Sequence, residues 1–193
     1  MKRMYRPKRL ICVACCKSKL DHRAKVDDIY ISDLFKKASH FAWRAMANPK
    51  YQSDIRIISA KHGLLNPMDV IDPYDATLSK FSPKEIQEWS DMVITQIRHL
   101  YPDRLNRVTF LAGKSYRAPI EDHLKSIYRC TVDAPLAGLG IGEQKQWLNW
   151  NTKNSHTELV KNDFGDKTDF GYRDVIYEIQ YDNDNPQLSF NLI

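Results

Sequence analysis

The sequence has no apolar run approaching the ~20 residues that a membrane-spanning helix requires, which argues against a helical membrane protein. Cysteine is scarce: four in 193 residues, with Cys12, Cys15 and Cys16 crowded together and Cys130 apart. Such a set is no disulfide framework, and a reducing cytoplasm is the expected compartment. Cys12 and Cys15 have a zinc-ligand spacing, yet no second pair follows. Only Cys130, His22 and His40 could complete a site, none suitably spaced, so neither a metal nor another cofactor is expected. A nucleophilic Cys15 or Cys16 beside Lys17 is the minor alternative, since positive charge lowers a thiol pKa. The chain also lacks a P-loop, a G-x-S-x-G elbow and an H-E-x-x-H helix, which removes the commoner ATPase, hydrolase and zincin readings. Gly138-Leu-Gly-Ile-Gly142 is not the dinucleotide fingerprint. It comes late, has the wrong spacing and reads as a tight turn before a helix.

What is present is ordinary globular material. Hydrophobic residues make up 42% and charged residues 27%, which excludes wholesale disorder. The length suits one domain with a core, with or without a small appendage. The net charge of +5 is unevenly spread: residues 1–25 hold nine Lys/Arg and one Asp, residues 152–193 four Lys/Arg and eight Asp/Glu. This permits a nucleic-acid partner without requiring one. Met1–Arg9 followed by Leu10–Cys16 superficially resembles a signal peptide. The apolar stretch is too short and ends at Lys17 and Lys19, so the reading is a β-strand entered from a basic arm.

Periodicity organises the rest. Arg9–Cys15 is a continuous apolar run, as in a strand buried on both faces. A polar loop over Lys17–Val26 precedes a helix from Asp33 to about Met46, stopped by Asn48-Pro49. Asp54–Ser59 is a second strand, followed by a long loop to Ser82. There, Ser82-Pro-Lys-Glu85 has the pattern of an N-cap, a first-turn proline and a capping glutamate. The helix it opens runs to about Tyr101, with Ile86, Trp89, Met92, Val93, Ile97 and Leu100 on one face. Arg107–Ala112 is a third strand with Gly113–Arg117 as its exit, then a helix over Ala118–Tyr128, a short strand over Arg129–Val132 and a last helix to about Trp150. Alternation of strands and helices predicts an α/β domain over 1–150, a three-layer sandwich around a central, mainly parallel sheet. Residues 151–193 read as a polar, acidic extension with a β-hairpin from Val175–Tyr181 and Gln187–Ile193.

Ligands of open α/β sheets bind at the carboxyl ends of the strands. Three successive exits are polar there: Cys15-Cys-Lys-Ser-Lys19, Ser59-Ala-Lys-His-Gly-Leu64 and Gly113-Lys-Ser-Tyr-Arg117. Convergence of Lys17, Lys61 and Lys114 on one site would make an anion pocket suited to phosphate; the plain alternative is that surface loops are polar anyway. His62 is placed to donate to an oxygen of a departing base, and Asp72 or Asp75 to activate water. Equally, His62 could cap a loop, and Asp69, Asp72 and Asp75 could form Asx turns. Tyr74 has a ring able to stack on an extruded base or simply to pack.

The combination of Cys16-Lys-Ser-Lys-Leu20, Tyr30-Ile-Ser-Asp-Leu-Phe35, Ser59-Ala-Lys-His-Gly-Leu64, Pro73-Tyr-Asp75, Ala112-Gly-x-x-Tyr-Arg117 and Pro135-Leu-x-Gly-Leu-Gly-Ile-Gly142 resembles a prokaryotic domain family of formerly unknown function. That family is similar to the uracil-DNA-glycosylase-like superfamily and includes anti-phage DNA glycosylases. The resemblance spans residues 9–150 and omits the tail. It implies an enzyme that flips a nucleotide of phage DNA and hydrolyses its N-glycosidic bond, leaving an abasic site. The implied target is a glucosylated cytosine. The water-activating Gly-Gln-Asp-Pro-Tyr and the His-Pro-Ser segments of uracil glycosylases are absent.

For that chemistry the candidates are Asp75 or Asp72 as water activator and His62 as partner of the leaving base. Lys61, Lys114 and Arg117 would contact phosphate, and Lys17 and Ser18 would line the base pocket. Ser59, Tyr74, Gly113 and Tyr116 complete the expected substrate-binding set. Two alternatives keep the same residues: a nucleoside or nucleotide glycosyl hydrolase or base-exchange transferase, and a non-catalytic nucleic-acid-binding module gripping phosphates with Lys2–Arg9.

Overall fold

A computed structural model describes residues 8–48 and 52–154. In chain order the elements are β1 (Arg9–Ala14), β2 (Ala24–Lys25), α1 (Val26–Ile29), α2 (Asp33–Met46), β3 (Ser53–Ser59), β4 (Gly63–Leu65), β5 (Val70–Ile71), a 3-10 turn (Leu78–Lys80), α3 (Pro83–Leu100), β6 (Arg107–Leu111), α4 (Lys114–Tyr128), β7 (Thr131–Asp133) and α5 (Ile141–Asn154). Five strands form one sheet in the order β4-β3-β1-β6-β7. The β3, β1, β6 and β7 strands are parallel to their neighbours and β4 is antiparallel to β3. The fold is α/β, with a mixed, mainly parallel sheet flanked by helices.

The central position of β1 follows from its composition. Leu10, Ile11, Cys12 and Val13 are all buried, as a strand covered on both faces requires. Leu10 and Cys12 enter one core cluster with Ile58 of β3, Val108 and Phe110 of β6, Trp89, Val93 and Ile97 of α3, and Ile120 and Leu124 of α4. The α2 helix packs on β1 and β3, and its buried Phe35, Ala38, Phe41 and Ala42 lie outside that cluster. Burial also explains why the Cys12 thiol is pushed far up from its ordinary pKa and stays protonated.

The α2 and α3 helices each start at a serine cap, that of α3 being the one the sequence predicts. The Ser32 hydroxyl accepts from Phe35 N at the start of α2. At α3, Ser82 Oγ accepts from Glu85 N, and Glu85 Oε2 accepts from Ser82 N at 2.7 Å. This reciprocal pair satisfies two backbone donors that a helix otherwise leaves free.

The structure corrects the sequence reading in four places. The long loop after β3 contains β4, β5 and the 3-10 turn, and β5 pairs antiparallel with β2, itself inside the stretch read as a polar loop. Gly113–Arg117 is not a loop: Gly113 caps α4, which starts at Lys114 and carries Pro119 inside it. Arg129, read as the start of a strand, instead ends α4 in a left-handed conformation, and β7 begins at Thr131. Finally, Leu100 of α3, assigned to the apolar face, is 42% exposed. The hairpin read in residues 175–193 and the basic arm before residue 8 lie outside the described residues. Among the described residues no helix is long and apolar enough to cross a membrane.

Replacing Ser82 by Ala removes one half of the reciprocal cap. The expected result is a loss of about 1 kcal/mol, read as a lower urea midpoint with an unchanged slope.

Candidate functional site

The chain leaves β1, forms β3 on one side of it and then crosses to β6 on the other. In open α/β sheets the carboxyl end of such a strand is a crevice. Because β3, β1 and β6 are adjacent and parallel, the three polar exits emerge at the same end of the sheet. A cavity of about 350 Å³ opens there, between the ends of β1 (Ala14, Cys15, Cys16) and β6 (Leu111, Ala112, Gly113). Its walls come from α2 (Leu34, Phe35, Ala38), the first turn of α4 (Lys114, Arg117) and the segment leading into α5 (Leu136–Leu139, with Gln144).

Among the described residues no aspartate or glutamate lines this cavity. Its polar groups are Ser32, two thiols, Gln144, Lys114 and Arg117, together with the α4 N-terminus. Gly113, its N-cap residue, has no side chain and so makes no capping hydrogen bond to that terminus. Such a helix end favours negative charge. Arg117 pairs with Glu121 one turn on, while its buried Nε has no hydrogen-bond partner.

Beside the cavity, the second exit is built around one hydroxyl. Ser59 Oγ accepts from Lys61 N at 3.2 Å and from His62 N at 3.1 Å, and lies 2.6 Å from the Tyr74 hydroxyl. With both lone pairs engaged, the serine proton is directed to Tyr74. The Tyr74 hydroxyl in turn lies 2.6 Å from that of Tyr30. Trp89 Nε1 donates to Ser59 O at 2.9 Å, fixing the end of β3 to α3. Cys15 joins this cluster to the cavity: it lines the cavity and its Sγ lies 3.3 Å from the Tyr116 hydroxyl. Burial is the main reason that Tyr30, Tyr74 and Tyr116 have raised pKa values, so all three are neutral phenols.

The His62 turn is gripped from the other side by α3. Gln96 Oε1 accepts from Leu64 N at 2.7 Å, and Gln96 Nε2 donates to His62 O at 3.0 Å. Gly63 has φ +68°, and a Cβ there would overlap Gln96 Oε1, so the position requires glycine on two counts. The His62 ring meets Tyr74 edge-on, with centroids 5.0 Å apart. Its buried Nε2 has no hydrogen-bond partner among the described residues. Burial first, and the Lys61 charge second, lower its pKa.

The candidate residues therefore divide. Gly113, Lys114 and Arg117 line the cavity; Ser59, Lys61, His62, Tyr74 and Tyr116 form the cluster next to it. Lys17 and Ser18 are exposed and outside the lining, where Cys16 stands instead. The three lysines thus share one end of the sheet but not one pocket, because only Lys114 reaches the cavity. The Tyr74 ring is occupied: Lys19 Nζ lies 4.3 Å and Lys61 Nζ 5.5 Å from its centroid, which argues against stacking on a base. Asp69 makes a loop contact, accepting from Asn66 N. Asp72 and Asp75 flank Tyr74, are exposed and do not line the cavity; Asp75 lies 3.8 Å from Lys80.

Several contributors escaped the sequence reading. Gln96 left a signal, being a polar residue one turn after Met92 on the buried side of α3. Lys19, Tyr30 and Ser32 stood in the quoted motifs without a role, and Gln144 left no signal, since their roles depend on chain far away in sequence. Lys17, Lys19, Lys61 and Lys114 meet no carboxylate among the described residues. Among those residues, too, no group of three or more His, Cys, Asp or Glu side chains is placed to hold a metal.

The chain belongs to the family described as of unknown function, DUF6884, whose model matches residues 10–150. No curated protein matches it.

Two outcomes follow from this geometry. Ser59→Ala strips the acceptor from two backbone N–H groups and should cost about 1–3 kcal/mol in chemical denaturation. His62 has a lowered folded-state pKa, so on acidification below 6.5 the unfolded chain takes up a proton that the folded chain resists. Stability should therefore fall below that pH, and His62→Gln should flatten this part of the pH–stability curve.

Proposed function

We propose that this member of DUF6884 is a DNA glycosylase related to the uracil-DNA-glycosylase-like superfamily. Its substrate is a hypermodified, glucosylated cytosine of phage DNA, excised in the cytoplasm as an antiviral defence. The cavity at the carboxyl ends of β1 and β6 is the observation that carries the reading. At about 350 Å³ it is within the range of small-molecule sites, roughly 300–1,000 Å³. Among the described residues its lining holds no carboxylate, and it offers amide, hydroxyl and cationic groups suited to a neutral, hydroxyl-rich base and its phosphate. Enzymes that act on bases in DNA extrude the nucleotide into such a pocket, at a cost their phosphate contacts must offset. Lys114, Arg117 and the α4 N-terminus are the phosphate-side groups here, and Lys61 and Lys19 extend the positive charge past Tyr74.

In the reaction, water adds to C1′ as the C1′–N bond breaks, and the bonding pair leaves with the base. His62 is neutral near pH 7, as its lowered pKa requires. It would therefore serve the leaving base as a hydrogen-bonding group, not as a charged acid. The water activator must be a carboxylate outside the cavity lining. Asp72 and Asp75, exposed on either side of Tyr74, are the candidates. The chemistry calls for no metal or organic cofactor.

The test is base release. Phage DNA carrying glucosylated cytosine should yield the modified base, identified by mass spectrometry, and alkali-labile sites; unmodified DNA should yield neither. Asp72→Asn or Asp75→Asn should lower the single-turnover rate by about 10²–10⁴, the usual worth of a positioned acid or base. Full activity in the double variant would overturn the carboxylate assignment. Failure to release a base from any modified DNA would overturn the function.

A further inference from the structure

The four cysteines fall into two kinds. Cys12 in β1 and Cys130 beside Leu124 are buried, and burial raises the pKa of both thiols. Cys15 and Cys16 are half-buried free thiols, and both line the cavity. Their sulfurs have different surroundings. Cys15 Sγ lies 3.3 Å from the Tyr116 hydroxyl, whereas Cys16 Sγ donates to Ser18 O at 3.0 Å in an exposed setting. Cys16 is therefore the thiol that a reagent in solution meets first. The same cavity is lined by Lys114 and Arg117. The Arg117 guanidinium pairs with Glu121, yet its buried Nε has no hydrogen-bond partner among the described residues. Two thiols and the cationic groups of the α4 N-terminal turn thus share one space of about 350 Å³.

We propose that Cys16 is a modification site: its thiol exchanges with low-molecular-weight disulfides that carry carboxylates, and the group it acquires occupies the cavity and blocks it. In the exchange the Cys16 sulfur attacks one sulfur of R–S–S–R. A Cys16–S–S–R bond forms, the S–S bond of the reagent breaks, and the departing sulfur keeps the bonding pair and takes the proton that Cys16 gives up. Cys16 is oxidised and half of the reagent is reduced to R–SH. The carboxylates of the reagent complement Lys114, Arg117 and the α4 N-terminus, which favour negative charge. Cys15 does not displace the acquired group. Consecutive Cα atoms lie about 3.8 Å apart, below the roughly 4.4 Å at which disulfides begin to fit without strain, and the Cys15 sulfur is turned to Tyr116. The mixed disulfide therefore persists until an external thiol reduces it. The block on DNA chemistry rests on the function proposed above; the modification itself does not.

The test incubates the reduced, full-length protein with oxidised glutathione, which carries carboxylates, or with cystamine, which carries amines instead. Adducts are followed by intact mass and peptide mapping. The protein should gain one glutathionyl group, at Cys16; Cys16→Ser should gain none, and Cys15→Ser should still be modified at Cys16. Because the two reagents differ in intrinsic reactivity, their rates are referred to those of the urea-unfolded protein. Folding should favour the anionic reagent over the cationic one by about tenfold, the gain expected in a cleft of one charge sign. Lys114→Gln and high salt should each shrink that preference. Adducts at Cys15, or equal preference in the folded and unfolded protein, overturn the proposal. Base release from glucosylated DNA is measured before and after modification. The adduct should abolish release and dithiothreitol should restore it; undiminished release by fully modified protein overturns the block. If the unmodified protein releases no base, the glycosylase reading falls, while the mass and rate measurements still decide the thiol site.

Discussion

The Ser59 hydroxyl, fully buried at the end of β3, holds together the parts of the site that come from different stretches of chain. It accepts from the N–H groups of Lys61 and His62 and donates to Tyr74, whose own hydroxyl meets that of Tyr30. A buried backbone donor without a partner costs about as much as a lost hydrogen bond. The chain past β3 can therefore turn sharply only where a side chain supplies an acceptor. Serine is small enough to do so without filling the space that Tyr74 needs. Trp89 secures the same residue through its carbonyl, and Gln96 secures the far side of the turn. Two helical side chains and one tyrosine thus fix a histidine whose ring would otherwise sit on a free loop.

Local patterns carried the scaffold well. The apolar run at Leu10–Val13 and the Ser82–Glu85 box each depend on neighbours within a turn or a strand, and both are where the sequence places them. The β4 strand was hidden because its three residues, Gly63–Leu65, are too few to show alternation, and their pairing with β3 depends on the turn between them. The start of α4 was hidden because Gly113 signals a turn as readily as a cap. The site was half legible: its residue types cluster at strand exits, and a parallel sheet must bring those exits together. Which side chains then meet was not legible. Cys15 and Tyr116 are separated by 101 positions, and no periodicity encodes that contact.

The division of charge follows from the same architecture. Several carboxylates of the body are engaged with its cations: Asp33 with Lys37 and Lys145, Asp54 with Arg56, Asp133 with Arg107, and Glu121 with Arg117 and Lys125. The lysines at the strand ends are left out of this pairing. A net charge of +5 would be a weak field if spread evenly. Lys17, Lys19, Lys61 and Lys114, gathered at one end of the sheet, concentrate positive charge there, and such a field favours anions. The described lining of the cavity, free of carboxylates, extends this arrangement inward, since a carboxylate there would repel the negative charge that the α4 N-terminus favours.

That arrangement places a constraint on any hydrolytic chemistry at the site. A carboxylate that activates water has to stand close to the sugar, yet one inside the cavity would oppose binding of the phosphate. Under the proposed function Asp72 and Asp75 would have to meet both demands: they flank Tyr74, are exposed and lie outside the lining. The cost of that separation is precision, because exposed carboxylates are held less firmly than buried ones and depend on substrate to complete their surroundings. The rigid Ser59–Tyr74 connection limits that cost: it anchors the residue between the two aspartates, so their backbone has one fixed point however mobile their side chains are. The proposed chemistry is thus compatible with carboxylates outside the pocket only because Tyr74 serves as an anchor instead of a stacking surface, its hydroxyl tied to Ser59 and its ring covered by Lys19.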